Sequence, residues 1–190
     1  MIKTHKKQVI ISSIVILLPI LIGLFIWYFL PDQIVTHWNF NGEADGWSTK
    51  GFTVFGLPLI LFVGHWICVI FSSYDSKNKD QSRKVSSMVL WIIPVVSLLV
   101  CNLTYATALG YEINIAVGVR ILLGLMFLMF GNYMPKCKQN HTIGVRVKWT
   151  LRNEENWNKT HRFTGRLWVV GGLFILVTLF IPLEGFAYIF

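Results

Sequence analysis

Five stretches of about twenty mostly apolar residues, at 9–30, 52–72, 87–109, 113–132 and 167–183, dominate this sequence. A helix needs roughly 20 such residues to cross the hydrocarbon layer. Inside that layer every backbone N–H and C=O must be satisfied within the fold, which leaves helices as the solution for segments of this length. The sequence therefore predicts an all-α integral membrane protein, a helical bundle of about five spans forming one membrane domain over 1–190. Composition agrees. Of the 190 residues, 54% are hydrophobic and only 14% are charged, against about 25% charged in soluble domains. The run from Val9 to Leu30 is too long for a signal-peptide core and no small-residue cleavage site follows it, so it reads as a retained span. Three scattered cysteines give neither a disulfide framework nor a CxxC pair.

The net charge of +8 belongs to the connections between spans. Lys3, Lys6 and Lys7 precede span one, and Lys77, Lys79, Arg83 and Lys84 lie between spans two and three. Lys136, Lys138, Arg146, Lys148, Arg152, Lys159, Arg162 and Arg166 lie between spans four and five. Fifteen of the 17 Lys and Arg thus fall on one side. The positive-inside rule places that side, with the N-terminus, in the cytoplasm and puts the 31–51 connection outside. A basic charge distributed this way calls for no direct nucleic acid contact. The "GYE" connection at 110–112 makes spans three and four an antiparallel pair, and Pro19, Pro58 and Pro94 predict bent helices. The closing "IPLEGFAYIF" reads as the start of a further apolar stretch, a truncated sixth span or an interfacial tail.

The extracytoplasmic module at 31–51 contains "HWNFNGEADGW", with turn dipeptides Asn41-Gly42 and Asp45-Gly46 after an extended Val35–Phe40. One reading is a compact loop anchored at the headgroups by Trp38 and Trp47. The other is a recognition surface formed by His37, Trp38, Asn39, Gly42, Asp45, Gly46 and Lys50. The spacing of His37, Glu43 and Asp45 matches no standard metal-ligand pattern.

In the cytoplasmic module at 133–166, Asn132 and Pro135 should end span four, and Gly144 marks a turn. Asn153 is a credible N-cap, with Glu154 and Glu155 in the first helical turn. The short amphipathic helix begun there should carry Trp157 and His161 on one face and run toward span five. Its cations, with Lys159, Arg162 and Arg166 at phosphate depth, suit anionic lipid, and the loop is also large enough to dock a cytoplasmic protein. Cys137 and His141 lack the further ligands that a zinc site needs.

Both modules resemble the SdpI family, membrane proteins related to the immunity protein for a sporulation-delaying toxin. In the first, the matching residues are Leu30, Pro31, His37, Trp38, Asn39, Gly42, Asp45, Gly46 and Lys50. In the second they are Gly131, Asn132, Pro135, Lys136, Asn140, Gly144, Arg146, Trp149, Thr150, Glu155, Trp157, Thr160, His161 and Arg162. Val147 and Thr164 depart from the family pattern, and the usual sixth span is missing, which would leave the C-terminus outside. The resemblance implies a non-catalytic protein that gives resistance to a secreted peptide toxin through the outer module. It also implies that the inner module holds a transcriptional repressor at the membrane.

Within the spans, His65, Asn102 and Arg120 are the costly polar groups. His65 should hydrogen-bond Asn102, and Arg120 should snorkel outward toward Glu112. No deep carboxylate, GxSxG or serine–histidine–acid arrangement supports an enzyme, and no cofactor motif is present. A small transporter is the competing class, but five spans show no internal repeat; an accessory membrane subunit is the third reading.

Overall fold

The computed structural model describes residues 5–39 and 42–181. Its helices are α1 (Lys6–Phe25), α2 (Leu57–Tyr74), α3 (Arg83–Ala108), α4 (Ile115–Tyr133), α5 (Lys148–Arg152) and α6 (Glu154–Val177). Strands β1 (Gln33–Trp38) and β2 (Ala44–Thr49) form one antiparallel hairpin between α1 and α2. Counting adjoining π and 3-10 turns, five helices of 20 to 27 residues among the described residues are long and apolar enough to cross a membrane. The tail at 182–190, on which the truncated-span reading rests, lies outside the described residues.

Two compact units divide the chain, Met1–Ser76 with Ser86–Asn114, and Lys77–Val85 with Ile115–Phe190. In the first unit, small polar side chains fasten helices through backbone carbonyls. Ser97 donates to the Ile16 carbonyl (2.9 Å), Tyr105 to the Pro19 carbonyl (3.1 Å), and Ser87 to Gln8 Oε1 (3.0 Å). Residue numbers rise together along α1 and α3, so these helices run parallel, as two spans separated by one returning span must. Val9, Val69 and Leu90 pack α1, α2 and α3 together. Leu30, Ile34, Val54, Cys101 and Tyr105 seat the base of the hairpin on the helices. Pro58 directly follows a π turn at Phe52–Gly56, so its missing N–H falls where the regular helical hydrogen-bond ladder is already interrupted.

In the second unit α4 and α6 meet through glycine pairs. A side chain at Gly131 would strike the Gly165 carbonyl and one at Gly165 the Gly131 carbonyl; Gly124 and Gly172 face each other similarly. Both pairs lie seven residues apart on each helix, so two backbones approach closely along a shared antiparallel seam, as small residues allow in membranes. α6 starts at Glu154, well before the apolar window at 167, so the expected amphipathic segment and the fifth span are one continuous helix. Its N-cap is Asn153, whose side chain accepts from Asn156 N–H at 2.9 Å.

Candidate functional site

The hairpin is held in shape from inside its own motif. Two bulges interrupt the register, Thr36 being the extra residue on β1 and Asp45 on β2. They cancel, and between them His37 is brought opposite Gly46. A side chain on Gly46 would collide with the His37 Cβ. Bulges re-aim side chains, and here the outcome is a hydrogen-bonded His37 Nδ1–Asp45 Oδ1 pair (2.5 Å), with both groups facing solvent. Asn39 closes the tip, accepting from Glu43 N–H (3.0 Å) and donating to Glu43 Oε2 (2.9 Å), while Gly42 takes the positive φ of 81° that the turn requires.

Lys50 turns inward. Its side chain is 17% exposed, and its ammonium donates to the carbonyls of Leu30 (3.0 Å) and Trp27 (3.5 Å), pairs with Asp32 (3.3 Å) and lies over the Trp27 ring. It ties the end of the hairpin to the 3-10 turn after α1. Among the motif residues, His37, Gly42 and Asp45 therefore face solvent, joined by Glu43 and Trp47, while Trp38 and Asn39 are half-buried.

The 133–166 segment is a folded platform rather than an open loop. Asn140 is fully buried and uses its whole amide, donating to the carbonyls of Lys138 (2.8 Å) and Ile143 (2.9 Å) and accepting from the N–H groups of Thr142 (2.8 Å) and Ile143 (2.5 Å). The Thr150 hydroxyl accepts from Val147 N–H (3.0 Å) and donates to the Val145 carbonyl (2.8 Å), starting α5. Trp157, with no exposed surface, donates its indole N–H to the Cys137 carbonyl (2.8 Å) and stacks on His161 at 3.9 Å between centroids. His161 Nε2 accepts from Val145 N–H (3.1 Å). The ring is therefore neutral there, with the proton on Nδ1 donated to the Trp157 carbonyl (2.8 Å). Gly144, at φ 107°, passes directly over that imidazole.

Two glutamines that the sequence reading passed over complete the platform. Gln81 pairs its amide with the backbone of Lys138 in both directions, and Gln139 donates to the carbonyls of Thr150 and Leu151 at the end of α5. Nothing in the sequence distinguishes Gln81 from its charged neighbours. Cys137 is enclosed among Gln81, Asn140 and Ile143, and burial pushes its thiol up to about 11 against two weaker hydrogen bonds that lower it.

The platform's exposed groups include His141, Arg146, Lys148, Trp149, Arg152 and Arg162. Arg146 donates to the His141 carbonyl (2.8 Å). Glu155 and Lys159 form an exposed i,i+4 pair, an arrangement worth little in stability. At the surface end of α4, Lys136 donates to Asn132 Oδ1 (3.4 Å) and lies over Tyr133, and Pro135 packs on Gly165.

Two intramembrane pairings differ from expectation. His65 Nε2 hydrogen-bonds Ser12 (3.0 Å), because α1 lies against α2 there, while Asn102 donates to its own Leu98 carbonyl (2.7 Å) one turn back. Arg120 donates to the carbonyls of Ala116 (3.1 Å) and Thr178 (3.3 Å). The Thr178 carbonyl is freed at the end of α6 and lies within its reach.

Five apolar helices and two compact polar modules define a multi-pass plasma-membrane protein. Residues 136–190 match the SdpI/YfhL protein family, and residues 14–62 match a domain of unknown function, DUF1648. The immunity protein SdpI of Bacillus subtilis (strain 168) is 31% identical over 175 residues, covering 92% of this chain and 82% of that protein. The chain belongs to the SdpI family of membrane immunity proteins. No solved structure matches it.

Proposed function

We propose that the chain protects its cell from a secreted antimicrobial peptide, which it meets from outside with the hairpin Gln33–Thr49. The observation that carries this is the alignment with an immunity protein across 92% of the chain. The geometry supports it: a hairpin latched by Lys50 presents His37, Asp45 and Trp47 without needing them for its own packing. The platform, cytoplasmic by the charge rule, holds a transcriptional repressor through Arg146 and α5, and Arg162 and Arg166 contact anionic lipid. Asn140, Thr150, Trp157 and His161 act as the platform's scaffold, since each is fully buried.

The test is expression in a peptide-sensitive Bacillus host lacking its own immunity gene. Cells with the chain should survive a peptide dose that kills the parent. His37→Ala should remove that survival, whereas Arg146→Ala should leave it intact and release the repressor from the membrane fraction. Equal killing of parent and expressing cells sinks the immunity reading.

A further inference from the structure

We propose that the free edge of β2 is a strand-pairing site for an extended, cationic segment of the secreted peptide; this rests on the proposed function and names the chemistry of its contact. Backbone parity carries the inference. Lys50 N–H donates to the Asp32 carbonyl at 2.9 Å, which makes Asp32 and Lys50 a hydrogen-bonded cross-strand pair. In an antiparallel ladder such pairs alternate with pairs whose backbone groups point away from the partner strand. The register Gln33↔Thr49, Ile34↔Ser48, Val35↔Trp47 then turns Ser48 toward β1 and turns Trp47 and Thr49 outward.

The sheet has two strands among the described residues, so within them those outward groups face no third strand. The Thr49 carbonyl is taken by the Thr53 hydroxyl (3.1 Å). This leaves Trp47 N–H, Trp47 C=O and Thr49 N–H along an edge where both residues are exposed. Natural edges are commonly protected by lysine, proline or an inward-pointing charge, and "ADGWST" has no lysine or proline. An added strand satisfies such an edge through main-chain hydrogen bonds and reads the incoming side chains separately.

Charge selects the occupant. The 31–51 connection carries Asp32, Glu43 and Asp45 against one lysine, Lys50, whose ammonium is already committed to carbonyls. Glu43 and Asp45 are exposed at the tip end of β2, so a strand laid along Trp47 and Thr49 passes the two carboxylates. Lysine or arginine side chains at alternate positions are complementary to them, and acidic ones are repelled.

The experiment uses the full chain in nanodiscs of zwitterionic phosphatidylcholine, with empty nanodiscs as blank. The probe is a fluorescent Lys-Val-Lys-Val-Lys-Val-Lys peptide, and anisotropy is the readout. Binding is expected for this probe and not for its Glu-Val counterpart. Methylating the probe's alternate backbone amides should weaken binding at least tenfold. Trp47→Ala keeps the outward N–H and should cost a few fold, whereas Trp47→Pro removes it and should cost tenfold more. No binding, equal binding of the methylated probe, or equal loss with Trp47→Ala and Trp47→Pro overturns the strand-pairing site. If host cells gain no tolerance but the probe still pairs with the edge, only the immunity reading falls. If tolerance is real and Trp47→Pro leaves it intact, only the edge inference falls.

Discussion

The imidazole of His161 fills the space that a side chain on Gly144 would need. Gly144 also holds φ at 107°, so two independent constraints exclude other residues at this turn. Gly144→Ala should destabilise the platform by about 1–3 kcal/mol through backbone strain, with the collision adding to it. Limited proteolysis of the 138–152 segment in nanodiscs would record this as faster cleavage. Unchanged cleavage would mean that the turn is not held by the ring.

The hydrogen bond from Val145 N–H dictates which nitrogen of His161 carries the proton. Nitrogen-15 NMR of histidine-labelled protein at neutral pH should show Nδ1 protonated and Nε2 bare. The opposite tautomer would leave Val145 N–H facing another N–H and would contradict the packing described.

Cys137 provides a chemical probe of the same enclosure. Its thiol is pushed up to about 11 by burial, so at pH 7–8 it is in the unreactive neutral form. In a Cys68→Ser, Cys101→Ser background, maleimide should label the native protein slowly at pH 7.5. Labelling should accelerate as pH climbs toward 11, and at pH 7.5 when Gly144→Ala loosens the platform. Fast labelling of the native protein would show the thiol to be accessible.

Lys50 should matter through orientation. Lys50→Met keeps the length but loses bonds to the Leu30 and Trp27 carbonyls. Hydrogen bonds from a charged donor are worth about 1.5–3 kcal/mol, and hydrogen exchange of the β1 and β2 amides should quicken accordingly, while α4 and α6 exchange as before.

At the seam of α4 and α6, Gly131→Val drives methyl groups into the Gly165 carbonyl and Val169. Overpacking of this kind costs about 1–3 kcal/mol, so the melting temperature in detergent should fall. Gly64→Ala, in a position with open space around it, should leave it near the native value.

The spans were legible because bilayer thickness dictates a length of apolar chain, and Asn153 was legible because a cap is local chemistry. The scaffold roles of Lys50, Asn140 and His161 were not. Sequence marks such residues as special without telling whether they face a ligand or the protein's own backbone, and burial reverses that reading. Pairings across helices, such as His65 with Ser12, depend on rotation about each helix axis, which proline-bent spans do not reveal. Gln81 had no local signature at all, since its partner lies 57 residues away at Lys138.

The opposed irregularities at Thr36 and Asp45 make the hairpin a ribbon whose length errors must come in twos. Losing either residue alone would shift the odd–even count of everything beyond it, exchanging the ring of Trp38 with the neighbour that now faces the other way. Related chains should therefore lengthen or shorten this ribbon on both arms together, or only at its tip.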